Sequence, residues 1–274
     1  MEFDCKNPAT VADGLTRTVC VKKTQASFVR LLILGIFAGV YIGFGAQLAT
    51  MVTHDAAAFL GVGVAKLLSG AVFSVGLMLV VIAGAELFTG NNLIFLSVLD
   101  RQVKVRGLLR NWGIVYFANL IGSLLLVLLI YWSGLWKTGG GAVGATAVKI
   151  ANGKVNLTFL EGFSRAILCN WLVCLAVWMA ASARTVVGKI FAIFFPIMAF
   201  VASGFEHSIA NMYFIPMGLA LKGQALIEAS ANLTVGGMIV KNLIPVTLGN
   251  IVGGAFFVAT LYWIVYVRKS RKEA

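Results

Sequence analysis

Glu206 and His207 stand side by side in Ile190 to Leu221, a stretch that is otherwise mostly apolar. Imidazole can donate a hydrogen bond, carry a charge or exchange a proton near neutral pH. A carboxylate inside an apolar segment is costly unless it has a partner or a task. The combination has an echo earlier in the chain. Gly84-x-Glu86 is followed five residues later by Asn91, and Gly204-x-Glu206 five residues later by Asn211, at an offset of 120 residues. A lone buried histidine can be a packing residue, but its place inside a repeated polar pattern favours function. Ser208 beside His207 does not make a hydrolase, because adjacent residues supply neither base geometry nor oxyanion donors, and no nucleophile elbow is present. The two histidines, His54 and His207, lie near no cysteine in sequence; Cys5 and Cys20 fall in the polar head and Cys169 and Cys174 in one apolar run. No metal, cofactor or disulfide framework is expected.

Membrane spans must position these residues. Of 274 residues, 60% are apolar and 12% charged, and the mean hydropathy is +0.94, too oily for a soluble globule. Helices of about 20 residues cross a bilayer. Segments of that kind run Leu31 to Val52, Leu67 to Leu99, Asn111 to Trp136, Leu157 to Ala183, Ile190 to Leu221 and Asn242 to Val267. The net charge of +12 reads as a topology signal and not as a nucleic-acid surface, since Lys and Arg collect between apolar runs. Six crossings put fifteen of them on one side, in the head, Arg101 to Arg110, Arg184 to Lys189 and the tail, against six on the other. Both termini are then cytoplasmic. The chain reads as one transmembrane domain, with a cytoplasmic segment 1–29, a six-helix pore 30–267 and a cytoplasmic tail 268–274. No cleavable signal is expected before the first span. Tyr262, Trp263 and Tyr266 read as an interfacial belt, and Arg268, Lys269, Arg271 and Lys272 as anchors of the tail. Glu161 and Arg165, four apart, read as an ion pair on one helix face.

The second and fifth segments exceed one crossing and carry Glu86 and Glu206 near their middles. The third and sixth also match, Asn111, Asn119 and Gly122 being answered by Asn242, Asn250 and Gly253 with spacings of eight and three. The pattern points to duplication. Three crossings per half is an odd number, so the halves are inverted around a central pathway. The expected fold is therefore an all-α integral membrane protein of six transmembrane helices in two inverted three-helix repeats, with the second and fifth helices broken. Irregular backbone at that depth is tolerated only in protein or beside water. Glu86, Asn91, Glu206 and Asn211 are its expected support. The alternative is that Gly84 and Gly204 simply allow close helix packing.

Glu86-Leu87-Phe88-Thr89-Gly90 and Gly204-Phe205-Glu206-His207-Ser208-Ile209-Ala210-Asn211-Met212 resemble the formate/nitrite transporter family, and Asn170 to Met179 and Asn242 to Asn250 extend the likeness over nearly the whole chain. The resemblance implies a homopentamer of aquaporin-like protomers, each with its own pore, in a bacterial-type inner membrane. It also implies substrates such as formate, nitrite or hydrosulfide. By the same resemblance His207 is the central histidine, Thr89 its hydroxyl partner, Lys154 the basic residue of the outer vestibule and Asn170 a polar residue of the fourth span. Apolar constrictions map onto Leu77, Leu87, Phe88, Val173 and Phe200, with Phe73 close by. Leu87 and Phe88 belong to a mobile loop in that picture, and the N-terminal segment to an interfacial helix.

The physical difficulty for such a pore is desolvation of the anion in a narrow apolar constriction. Lys154 attracting the anion, and a protonated acid crossing near His207, would remove most of that barrier; the competing reading keeps the anion charged against a histidinium. The alternative readings are that Thr89 bonds its own loop, that Asn170 bonds between helices and that Lys154 is a solvated loop lysine. The function expected is a passive or proton-coupled channel for small monovalent weak-acid anions, with the lipid bilayer as its other partner. An aquaporin-like channel for neutral solutes is the alternative, although the paired Asn-Pro-Ala signature is absent.

Overall fold

The computed structural model describes residues 5–224, 226 and 228–268. Helix α1 runs over 8–25, bulging to a wider turn at Leu15–Val19. It is followed by α2 (Phe28–Thr53), α3 (Ala56–Gly84), α4 (Gly90–Leu99) and α5 (Val105–Ser133). The second half is α6 (Ala142–Val155), α7 (Phe159–Ser182), α8 (Val186–Ala202), α9 (Ser208–Ala220) and α10 (Val235–Val267). Five of these are long and apolar enough to cross a membrane unaided. The remaining crossing is α8 plus α9, interrupted between Ala202 and Ser208. The protein is an all-helical membrane protein of six crossings in two inverted repeats, and the second and fifth crossings are broken.

The repeat is larger than three crossings. A shift of 131 residues relates Asn111 to Asn242 and Asn119 to Asn250, and it also carries α1 onto α6 and Lys23 onto Lys154. Helix α6, which hydropathy does not single out, is thus the counterpart of the N-terminal helix. Each half is a short helix that does not cross, an unbroken crossing, a broken crossing and a second unbroken crossing.

Helix starts follow capping chemistry, in which a side-chain oxygen takes an N–H the helix cannot satisfy. Asn7 precedes Pro8 and accepts from Thr10 N at 2.8 Å. Ser27, Thr185 and Thr234 cap α2, α8 and α10. At α7, Thr158 and Glu161 form a reciprocal capping box, Glu161 Oε2 accepting from Thr158 N and Oγ1 at 2.8 Å. The expected Glu161–Arg165 ion pair does not form: the carboxylate turns back to the helix start, where N–H groups need an acceptor.

The breaks are set by glycine. Gly84 (φ +93°) and Gly204 (φ +76°) adopt the left-handed conformation that L side chains resist, and both helices stop there. Around them the crossings pack through small residues, as membrane helices do in the absence of a hydrophobic drive between them. A Cβ on Gly122 would meet Ile36, and one on Gly253 would meet Ile167, its repeat equivalent. Outward faces are apolar, with Phe59, Phe117 and Trp132 well exposed. Of the expected belt, Tyr262 stacks edge-on against Trp178 (4.6 Å) and Tyr266 (5.6 Å), and Arg268 lies over Trp263. Lys269, Arg271 and Lys272 lie outside the described residues.

The two glycine contacts have no room for branching. Gly122→Val and Gly253→Val should each destabilise by about 1–3 kcal/mol or more, the usual cost of overpacking, read as lower midpoints of thermal unfolding in detergent, with Ala at either position less severe.

Candidate functional site

Each interruption leaves main-chain groups inside the protein at membrane depth, and the same residues receive them in both halves. Glu86 N donates to Leu34 O (3.1 Å) and Glu206 N to Arg165 O (3.3 Å). Asn119 accepts from Phe88 N at 3.0 Å and donates to Gly35 O and Glu86 O at 2.8 and 2.9 Å. Asn250 accepts from Ser208 N at 2.9 Å and donates to Ala166 O and Glu206 O at 2.8 and 3.0 Å. Both amides are fully buried. Each uses its oxygen and one proton to replace hydrogen bonds the broken helix has given up, and the other proton to tie the break to the neighbouring unbroken helix.

The two glutamates sit in equivalent polar clusters. In the first half Lys23 Nζ reaches Glu86 Oε2 (2.8 Å) and Asn91 Oδ1 (2.9 Å); Asn91 Nδ2 donates to Glu86 Oε2 (2.7 Å) and Asn111 Oδ1 (2.9 Å), and Asn111 donates to Lys23 O (3.1 Å). In the second half Lys154 Nζ reaches both oxygens of Glu206 (3.1 and 3.2 Å). Asn211 donates to Glu206 Oε2 (2.6 Å) and Asn242 Oδ1 (2.7 Å), and Asn242 donates to Lys154 O (3.0 Å). A buried carboxylate is sustained by a cation and amide donors together.

Each cluster borders an open vestibule, of about 510 Å³ beside Lys23, Glu86 and Asn91 and about 250 Å³ beside Lys154, Glu206 and His207. Between them the free volume shrinks to about 10 Å³. Phe73, Leu77, Leu87, Val173, Phe200 and His207 line that waist, joined by Ile42 and Ile197. Phe73 and Phe200 meet edge to face at 5.8 Å, and Phe200 stacks on the imidazole at 5.9 Å.

His207 caps α9, its Nδ1 accepting from Ala210 N at 3.1 Å, while Nε2 is 2.9 Å from Thr89 Oγ1. Because Nδ1 faces an N–H donor, a neutral ring carries its proton on Nε2 and donates it to Thr89. The Thr89 hydroxyl proton is then available to a further acceptor. This bond joins the two interruptions. The 120-residue shift pairs Leu87 with His207 and Thr89 with Ile209, so the polar pair is drawn from non-equivalent positions of the repeat.

Three expected site residues sit elsewhere than in a cavity wall. Thr89 is fully buried behind His207. The Phe88 ring packs edge-on against Tyr116 (4.9 Å) and Trp112 (5.9 Å), and Trp112 Nε1 donates to Asn91 O (2.9 Å). Asn170 Nδ2 is shared among Thr89 O (3.2 Å), Asn92 Oδ1 (2.8 Å) and Asn250 O (2.7 Å). Reasoning from sequence did not single out Lys23, Ile42 or Ile197. Lys23 was within reach, since the 131-residue spacing of the asparagine triplets lands on it from Lys154. Among the described residues no three His, Cys, Asp or Glu side chains come together as metal ligands.

Two inverted repeats whose interrupted crossings meet at a constriction between two vestibules define a membrane channel. The chain belongs to the formate/nitrite transporter family, which matches residues 11–264 and comprises channels, not enzymes. It is 46% identical to the probable formate transporter of Methanothermobacter thermautotrophicus, over 96% of this chain and 98% of the relative. It is 40% identical to the formate channel FocA of Escherichia coli (strain K12), over 98% and 97%. A solved pentameric formate channel with formate bound superposes with a TM-score of 0.79 at 41% identity, over 88% of this chain and 98% of that one.

Asn119→Ala strands Phe88 N–H and Glu86 C=O, and Asn250→Ala strands Ser208 N–H and Glu206 C=O. At about 1–3 kcal/mol per unsatisfied group, either variant should unfold at markedly lower temperature than the unsubstituted protein, measured in detergent.

Proposed function

We propose that the chain conducts small monovalent anions of weak acids, formate foremost, between the two vestibules, with nitrite and hydrosulfide as related substrates. The observation that carries this reading is the sealed waist, whose apolar wall is interrupted by a single imidazole and flanked on each side by a lysine paired with a glutamate. An ion moved whole into such a passage meets a Born cost of order tens of kcal/mol. A lysine at each mouth lowers the potential for an arriving anion, and the waist then admits it as the neutral acid, its proton taken from vestibule water. His207, held by Thr89, brings one polar group to the narrowest point without adding a net charge.

In this reading His207 meets the passing acid, and the Thr89 hydroxyl behind it holds the ring in place. Asn170 acts through Thr89, holding its carbonyl, and Phe88 seats the first interruption against Trp112 and Tyr116. Glu86, Asn91, Glu206 and Asn211 hold the two lysines. Formate is favoured over nitrite and hydrosulfide by the curated formate channels and formate-bound structure among the relatives. The apolar outer faces suit a homopentamer like that solved relative, in a bacterial-type inner membrane with both termini cytoplasmic.

Formate uptake into proteoliposomes at two pH values tests the reading. Thr89→Ser should keep flux and Thr89→Val lower it roughly 2- to 10-fold, the worth of about 0.5–1.5 kcal/mol for a hydrogen bond between neutral groups. His207→Asn should change the pH profile. Unchanged flux and profile in Thr89→Val and His207→Asn would remove the pair from conduction, and osmotic swelling without formate movement would point to neutral solutes instead.

A further inference from the structure

The repeat makes the two lysine–glutamate pairs equivalent, but the two mouths are not. Beyond Lys23 the first vestibule opens into an antechamber of about 580 Å³ lined by Thr18, Lys22, Lys23, Gln25, Ser27 and Arg30, with Glu86 its one carboxylate. The second vestibule has one cation, Lys154, balanced by Glu206. Lining charge is thus net +2 at one mouth and zero at the other. Among the described residues Lys22 and Arg30 make no ion pair. The turn between them is fixed: Arg110 donates to Ala26 O at 3.1 Å and to Thr24 O at 3.5 Å, and Ser27 caps α2.

We propose that this antechamber binds divalent inorganic oxyanions, of the sulfate and hydrogen phosphate class, and that such an ion blocks the channel from the N-terminal mouth alone. The site rests on the conducting role given above. Two unpaired cations beside a third, with hydroxyl and amide donors between them, match a compact dianion better than a monovalent one, because attraction scales with ligand charge. The volume holds such an ion with part of its water, an ordinary water taking about 30 Å³. The waist does not pass it: a dianion keeps its charge where a weak monovalent acid loses its own, and desolvating two charges in about 10 Å³ of apolar space is prohibitive. The ion therefore competes for the mouth and goes no further.

The test uses the full chain in vesicles of zwitterionic lipid. Orientation is read with a membrane-impermeant maleimide at Cys5, which is exposed while Cys20, Cys169 and Cys174 are buried. At constant ionic strength, sulfate on the N-terminal side should raise the half-saturating formate concentration several-fold, and sulfate on the opposite side should leave it unchanged. The double variant Lys22→Gln, Arg30→Gln should lose the effect. Equal inhibition from both faces, or inhibition that survives the double substitution, overturns the proposal. Binding of radiolabelled sulfate to the solubilised protein separates the site from the transport reading. Saturable binding that is lost in the double variant supports the site even in a protein that moves no formate. Absence of binding in a protein that does conduct formate removes the site alone.

Discussion

A helix interrupted at the middle of a bilayer exposes N–H and C=O groups where no water can reach them, and the rest of this molecule is arranged around that constraint. Asn119 and Asn250 each take up two of the freed groups, an N–H and a C=O, and Glu86 and Glu206 bring carboxylates that demand cations of their own. The cations in turn need short helices to hold them, which explains why α1 and α6 belong to the repeat. One local requirement, satisfying a broken backbone in lipid, thereby recruits residues spread over most of each half.

Symmetry supplies the frame, and departure from symmetry supplies the chemistry. The asparagines, glutamates and lysines are shared between halves almost atom for atom. The waist is where the halves disagree: a leucine stands at 87 where its equivalent is His207, and a threonine at 89 where its equivalent is Ile209. Those two substitutions across the pseudo-twofold put one hydroxyl against one imidazole at the centre of an apolar ring. Tyr116 and Thr247, themselves equivalent, meet across the same axis at 2.9 Å and tie the two halves together beside it.

The crossings, their breaks and the doubled Gly-x-Glu pattern were legible because each leaves a local mark: an apolar run too long for one span, a glycine, a carboxylate where none is cheap. The partners of those carboxylates were less so. Lys23 lies in a polar head that reads as solvated, and only the 131-residue spacing ties it to Lys154. Helix α6 was passed over because a short helix lying between crossings has no hydropathy signal. Glu161 was matched with Arg165 on helical spacing, whereas the free N–H groups at the start of α7 competed for the same carboxylate and won. The direction of the Phe88 ring, away from the waist and onto Tyr116, depends on packing between distant segments that no local pattern encodes.

The equivalence of α1 with α6 also bears on how the chain is made. Helix α1 leaves the ribosome before the six crossings, yet Lys23 finds Glu86 and Asn111 only 63 and 88 residues later. Its ammonium must wait in headgroup water while three crossings insert behind it, then dock last among the parts of its half. In the second half α6 is already threaded between inserted segments when its own glutamate arrives. Both halves thus close on a short helix that precedes its partners, Lys154 meeting Glu206 and Asn242, 52 and 88 residues further on, but only the second does so between segments already in the membrane.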